Sequence, residues 1–305
     1  MKSETKALSY ETRYLYFHIY SAYYFGIGDY RNSYNYMLKH LQLIESNIAL
    51  IQDEPNKYFA VLSNMIYLCS QLNKTKEIPA WLQKLRDIKT VVGKKMTDDL
   101  AIKLFSTSLS AELSLYIQGA RFEEALSLIE PIDAGLKKFK GRLSKVREAY
   151  FYFNIAIVHF ALGDFTLSLR WLNRLLNDGD LDTNQDIHTL ARILDLVVHL
   201  EMGNKELIPY TLRSLLRYLD IRKRMYRFET LFLEFIKKIA RSRNEADTLT
   251  SYSELYRELQ LIAKDTYEKQ VFEQFDFLSW VESKIQNISF AEVVKRKLKN
   301  RKAIQ

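Results

Sequence analysis

The sequence predicts an all-α fold built from helical hairpins, and three observations support this class. Glycine and proline are sparse, with 9 and 4 among 305 residues, which favours long helices joined by short turns. Apolar residues make up 48% of the chain and recur three and four positions apart, as on the buried face of a helix. A short turn between two such apolar segments also recurs along the chain.

The clearest hairpin is FALGDFTLSLRWLNRLL at residues 160–176. Gly163 suits the end of the first helix because a left-handed cap needs no Cβ. Asp164 can begin the second helix by accepting hydrogen bonds from its free N–H groups. After the turn, one helical face carries Phe165, Leu169, Leu172 and Leu176. Two helices joined this closely form an antiparallel hairpin.

The same layout recurs at four other places. The turn positions are Gly28, Asn73, Ala120, Gly163 and Gly203, which lie 45, 47, 43 and 40 residues apart. They predict hairpins at 10–50, 55–92, 98–140, 143–178 and 184–220, and a less regular sixth at 223–264 with its turn near RSRNEA. Each hairpin has more apolar surface than it can bury alone, so stacked neighbours would form one array over 1–264.

The last residues, 265–305, are predicted to close the array. YEKQVFEQFDFLSWVESKI at 267–285 has Phe272, Phe275, Leu278 and Val281 at the spacing of a buried helical face, which indicates a capping helix. Ser289 is then expected to cap a short basic helix, FAEVVKRKLK.

The hairpin pattern resembles the tetratricopeptide repeat (TPR). That family has a small residue and an aromatic residue in the first helix, a Gly-x-aromatic turn, and a small residue in the second helix. The matching positions are Ser21, Tyr24, Gly28, Tyr30 and Ser33 in the first hairpin, Tyr116, Phe122 and Ala125 in the third, Ala156, His159, Gly163, Phe165 and Ser168 in the fourth, and His199 and Gly203 in the fifth. The resemblance covers roughly residues 10–220 and implies a TPR-like solenoid, a right-handed α-α superhelix of five to six hairpins. The period of 40–47 residues exceeds the usual period of about 34, so the helices or links are longer here.

The resemblance also implies a partner-binding surface, since in that family the first helix of each hairpin lines the concave side. The residues so placed are His18, Ala22, Phe25, Ser63, Tyr67, Ser70, Ser110, Ser114, Ile117, Phe153, Ile157 and Phe160. Small serines between aromatic side chains would form a groove for an extended or helical peptide. The alternative is that the long helices close the groove and these side chains pack on one another.

The sequence shows no arrangement typical of catalysis, so we expect no enzyme, no cofactor and no metal site. A nucleophile needs a positioned base, but the five histidines are scattered and no HExxH, CxxC, GxSxG or phosphate-binding Gly-Lys-Ser/Thr motif occurs. Cys69 lies within the apolar segment MIYLCSQL and is predicted to be a buried thiol. As the single cysteine, it forms no intrachain disulfide.

One acidic loop has the spacing of a calcium site. Asp178, Asp180, Asp182, Asn184 and Asp186 alternate within NDGDLDTNQD, residues 177–186. However, Thr183 stands where a calcium loop needs glycine, and Thr189 stands where it needs the final glutamate. We therefore favour a solvated loop between hairpins.

Positive charge is concentrated in the C-terminal third. The chain has a formal net charge of +8, and VVKRKLKNRK at 293–302 contains no acidic residue. The basic segment at 218–243 could contact nucleic acid, because lysine and arginine bind phosphates and aromatic rings stack on bases. Tyr226, Phe228, Phe232 and Phe235 instead fall at the spacing of a buried face, which favours a solvated basic face or one that meets an acidic partner.

These observations favour a non-enzymatic scaffold whose partner is a protein or peptide. The alternatives are nucleic-acid binding through the basic C-terminal third, and a regulatory module that senses a ligand or peptide. The N-terminal segment lacks the pattern of a signal peptide, and no span of about 20 mainly apolar residues stands out. We therefore expect a cytoplasmic protein with no membrane partner.

Overall fold

The computed structural model describes residues 9–177, 185–223, 225–242 and 244–304. All regular structure within these residues is helical, and they contain no strand. The prediction of an all-α fold is confirmed.

The helices follow the predicted hairpins closely. Before the middle of the chain they are α1 (Tyr10–Gly26), α2 (Tyr30–Glu45), α3 (Ile48–Asp53), α4 (Pro55–Gln71), α5 (Ile78–Val92), α6 (Asp98–Gln118), α7 (Phe122–Ala125) and α8 (Ile129–Lys138). They continue as α9 (Lys145–Ala161), α10 (Phe165–Leu176), α11 (Gln185–Glu201), α12 (Ile208–Arg222), α13 (Arg227–Arg241), α14 (Glu245–Ile262), α15 (Gln270–Gln274), α16 (Phe277–Gln286) and α17 (Phe290–Ile304). Short 3₁₀ segments occupy Gly93–Lys95 and Leu126–Leu128.

The chain divides into two compact units. The first comprises Met1–Leu115 with Lys137–Arg142, and the second comprises Tyr116–Leu136 with Leu143–Gln305. In the first unit α1 packs on α2, α2 on α4, and α4 on α5. In the second unit α9 packs on α10, α10 on α11, α11 on α12, α13 on α14, and α14 on α16.

All five predicted turn positions adopt a left-handed backbone. The φ angles of Gly28, Asn73, Ala120, Gly163 and Gly203 lie between +51° and +77°. At each turn the residue after this position donates its backbone N–H to the carbonyl five residues earlier, over 2.8–3.0 Å. At Gly163, for example, the amide of Asp164 donates to the carbonyl of His159. This pattern closes a helix with a left-handed residue, so the predicted bends are confirmed.

Side-chain caps define where several helices begin. Asp29 accepts from the backbone N–H of Asn32 at 3.0 Å, and Asp164 accepts from that of Leu167 at 3.1 Å. Ser289 and Glu292 form a reciprocal capping box at the start of α17. The predicted caps at Asp164 and Ser289 are thus both present.

The buried face of α10 is shifted from the predicted one. Trp171, Leu172 and Leu175 are buried together with Ser168, whereas Phe165, Leu169 and Leu176 are partly exposed. Small Ser168 lies closest to α9, since its hydroxyl bonds to an α9 carbonyl, and the larger side chains flank that contact.

The predicted single capping helix at 267–285 is in fact two helices. Phe275 has an extended backbone between α15 and α16, and Asp276 caps α16 by accepting from Ser279 N at 2.9 Å. Trp280 is fully buried, and its ring packs against Phe232, Phe235 and Tyr252. The break lets aromatic side chains on both sides of it enter the core.

Candidate functional site

The exposed part of the predicted partner-binding surface lies in the first unit. We call it the α1–α4 face, comprising His18, Ala22, Phe25, Ser63, Tyr67 and Ser70. Phe25 is 44% exposed and Tyr67 is 47% exposed, and their ring centroids lie 5.6 Å apart. The two helices therefore present one aromatic pair to solvent, although each ring comes from a different hairpin.

Small side chains surround this aromatic pair. His18, Ala22 and Ser70 are exposed, and Ser63 is partly exposed. The hydroxyl of Ser63 donates to the carbonyl of Phe59 at 2.8 Å, and that of Ser70 donates to the carbonyl of Ile66 at 3.2 Å. Because both hydroxyl protons are already bonded within α4, these serines leave space beside the rings while their oxygens can still accept.

An apolar stripe on α1 borders the α1–α4 face, and the sequence analysis missed it. Leu15, Ile19 and Tyr23 follow one another at intervals of four and are more than half exposed. Residues three and four apart are neighbours on a helix surface, so Ile19 adjoins both Ala22 and Leu15. The interval of four was visible in the sequence, but only the structure shows that nothing in the first unit covers it.

Ring packing beneath the α1–α4 face holds α1 in place. The ring of buried His40 lies 4.4 Å from that of Tyr14 and 5.7 Å from that of His18, measured between centroids. Burial, with a smaller contribution from His18, lowers the pKa of His40 to about 4. His40 is therefore neutral at pH 7 and acts as a core side chain.

The later predicted surface residues are mostly buried. Ser110 is buried, while Ser114 and Ile117 are partly buried. Phe153, Ile157 and Phe160 lie in the interior of the second unit. They therefore do not belong to an exposed groove, and the alternative of self-packing describes this hairpin.

The C-terminal segment provides the cover over Phe160. Its ring centroid lies 5.4 Å from those of both Phe275 and Phe290, and these two rings stack on each other at 5.3 Å. Ion pairs hold α17 in place, from Lys295 to Glu123 at 2.9 Å and from Lys297 to Glu282 at 2.8 Å. The basic helix is thus docked along its first turns.

A cavity in the second unit was not predicted. It measures about 310 Å³ and lies between the first turns of α9, α11 and α13 and the segment around α15. We call it the α11–α13 cavity. Apolar walls come from Val146, Ile187, Leu190, Phe228 and Val271. Because these residues are distant in sequence, no local pattern could have identified the cavity.

The polar part of the α11–α13 cavity is built around a buried ion pair. Arg222 Nη2 donates to Glu229 Oε2 at 2.5 Å, and Arg222 Nη1 donates to Thr189 Oγ1 at 2.9 Å. Glu229 also accepts from the backbone N–H of Tyr226 at 2.8 Å. Burial raises the pKa of Glu229, and the hydrogen bond from Arg222 opposes that shift.

A second carboxylate occupies the start of α13. Glu268 accepts from the backbone N–H groups of Arg227 and Phe228 at 3.0 and 2.8 Å. Tyr267, next to it, is 88% exposed and lines the mouth of the cavity. The positive end of the α13 dipole is therefore already matched by a side chain of the same chain.

The basic segment at 218–243 is partly neutralised. Phe228, Phe232 and Phe235 are buried as their spacing predicted. Several bases pair with acids, including Arg222 with Glu229, Arg227 with Glu258, and Lys238 with Glu254. These pairs lower the positive charge that a phosphate backbone would meet.

The groups considered for chemistry have structural surroundings. Cys69 is fully buried, and burial first, then the charge of Glu77, raises its thiol pKa to about 11. His159 is buried with a lowered pKa, again mainly through burial. Among the described residues, no group of three or more His, Cys, Asp or Glu side chains could hold a metal ion. Most of the acidic loop, 178–184, lies outside the described residues, so the calcium reading stays untested.

The described helices include one, α6, that is long and apolar enough to cross a membrane by length and composition. Its Leu100 and Leu104 belong to the core of the first unit, where Arg86 also pairs with Glu112.

Comparison with known proteins adds no family assignment. No protein-family model matches the sequence, and no curated protein matches it significantly.

Proposed function

We propose that this protein is a non-enzymatic, TPR-like helical-repeat scaffold that binds a peptide on the α1–α4 face. The observation that carries the proposal is the exposed pair of Phe25 and Tyr67. Aromatic side chains give large contact areas at low cost in side-chain entropy, and they often dominate binding energy. The matching left-handed turns support a repeat architecture, in which hairpins stack into a superhelix.

The occupant we propose is a peptide with apolar or aromatic side chains spaced along one side. Ala22, Ser63 and Ser70 are small, so they leave room between the two rings and the helix surfaces. The apolar stripe of Leu15, Ile19 and Tyr23 extends the same surface along α1. An amphipathic helix that lays its apolar side across α1 would cover both.

Nucleic-acid binding receives less support from these contacts. The bases of α13 pair with acids of α14, and those at 295–297 pair with Glu123 and Glu282. Such pairing reduces the number of cations free to displace counterions from a nucleic acid.

The test is selection from a displayed library of random 12-residue peptides on the full chain. We expect enriched peptides to be apolar on one side. Their affinity should fall by about tenfold or more in the double variant Phe25→Ala, Tyr67→Ala, because each ring supplies on the order of 1 kcal/mol of binding energy. The matched control is Tyr210→Ala, which removes an exposed aromatic ring from α12. A library that enriches no sequence, or peptides that bind the double variant as tightly as the unchanged chain, would refute the proposal.

A further inference from the structure

We propose that the α11–α13 cavity binds a small organic cation that carries an apolar body. This inference goes beyond the peptide-binding function, since it concerns a different surface and a different class of ligand. The cavity volume of about 310 Å³ falls within the range of small-molecule sites, which begins at about 300 Å³.

The charges that line the cavity are all negative. Asp186, Glu229 and Glu268 contribute carboxylates, and no lysine or arginine is among the lining residues. The nearest base is Arg222, whose side chain is only 3% exposed and already bonds to Glu229 and Thr189. A ligand in the cavity would therefore meet carboxylates and no accessible cation.

The helix N-terminus beside the cavity does not reverse this preference. Such a terminus ordinarily attracts anions, but Glu268 accepts from the first two amides of α13. An anionic ligand would have to displace this carboxylate and would still face Asp186. A cation, by contrast, needs no rearrangement.

The cavity walls fit the rest of such a ligand. Tyr150, Tyr226 and Tyr267 line it with aromatic rings, which attract ammonium and guanidinium groups through their π faces. Val146, Leu190 and Val271 supply apolar surface. The combination of carboxylates, tyrosines and aliphatic side chains suits a short hydrocarbon chain that ends in an ammonium group.

The direct test measures binding of three probes of equal length to the full chain by calorimetry. These are hexylammonium, hexanol and hexanoate. We expect hexylammonium to bind at least about tenfold more tightly than either other probe, because the carboxylates stabilise it and repel hexanoate. Its affinity should also weaken with added salt. An acetylated and amidated Lys-Leu dipeptide serves as a fourth probe: tighter binding of the dipeptide assigns the cation to a peptide side chain, and tighter binding of hexylammonium assigns it to a free amine.

Two variants locate the site. Val271→Trp should abolish hexylammonium binding by filling the cavity, and Asp186→Asn should weaken it about three- to tenfold by removing an exposed carboxylate. Asp220→Asn removes an exposed carboxylate of α12 outside the cavity and should leave the affinity unchanged. Binding of hexanol as tight as that of hexylammonium, or no effect of Val271→Trp, would overturn the proposal. Neither outcome depends on Phe25 or Tyr67, so this test can fail while peptide binding stands.

Discussion

The hydroxyl of Ser168 in α10 donates a hydrogen bond to the carbonyl oxygen of Ala156 in α9 at 2.9 Å. The first hairpin contains the same contact, because the hydroxyl of Ser33 in α2 donates to the carbonyl of Ser21 in α1, also at 2.9 Å. Both serines are fully buried. A small polar side chain therefore brings two helices together at the same place in two hairpins.

Ser168→Ala should lower the free energy of unfolding by about 1 kcal/mol, because it removes one buried hydrogen bond. Ser168→Leu should cost more, about 2–3 kcal/mol, since a larger side chain would force the helices apart. Urea denaturation measures both. The control is Ser127→Ala, which removes a local and exposed hydrogen bond to Glu124. Equal stability of the Ser168→Leu variant and the unchanged chain would contradict the close approach of α9 and α10.

Gly163→Ala should destabilise the protein by about 1–2 kcal/mol, since a left-handed backbone is unfavourable for a residue with a Cβ. An added Cβ would meet no atom within 4 Å, so the cost comes from the backbone alone. Gly163→Asn should cost less, because asparagine tolerates this conformation, as it does at Asn73. Gly26 also has open space around it but lacks a positive φ. Gly26→Ala is therefore the control, and an equal loss of thermal stability there would contradict the explanation.

The pKa of His40, lowered to about 4 by burial, predicts a specific loss of stability in acid. The unfolded chain binds a proton near pH 6.5 and the folded chain does not, so stability falls as the pH drops from about 6.5 towards 4. The contribution between pH 7 and 5 should be roughly 2 kcal/mol.

His40→Met should remove that part of the pH dependence, because methionine fills the same space without titrating. His18→Gln, at an exposed neighbour, should keep it. Denaturation curves at pH 7 and 5 give the comparison. The same acid sensitivity in the His40→Met variant would mean that other groups cause it.

Phe290→Ala should release α17 from the second unit, since it removes a ring that contacts Phe122, Phe160 and Phe275. Trypsin should then cleave at Lys295–Lys299 at least about tenfold faster, because local opening controls access to such sites. Ile288→Ala, at a partly exposed residue just before α17, should change the rate little. An unchanged rate for Phe290→Ala would show that the ring does not hold the helix.

Local signals account for the features that the sequence predicted well. A left-handed turn followed by a capping residue involves only neighbouring positions, so Gly163 and Asp164 define one bend by themselves. The same holds for Ser289 and Glu292 at the start of α17. The buried faces of α13 also follow from spacing within one helix, as Phe228 and Phe232 illustrate.

Contacts between distant segments account for the rest. Phe160 is buried because Phe275 and Phe290 reach it from more than one hundred residues further along the chain, and its own helix carries no sign of them. Phe25 and Tyr67 have the same apolar character but remain exposed. The α11–α13 cavity likewise depends on four segments that meet only in the folded chain.

The most direct test of peptide binding on the α1–α4 face is photo-cross-linking from Ala22. Benzoylphenylalanine at this exposed position should cross-link a library-selected peptide in the full chain, and unlabelled peptide should compete. The same group at Tyr210, which is exposed on α12, should give no competed product. Efficient cross-linking from position 22 and none from position 210 is the predicted result. The reverse, or equal yields at both positions, would contradict a peptide site between α1 and α4.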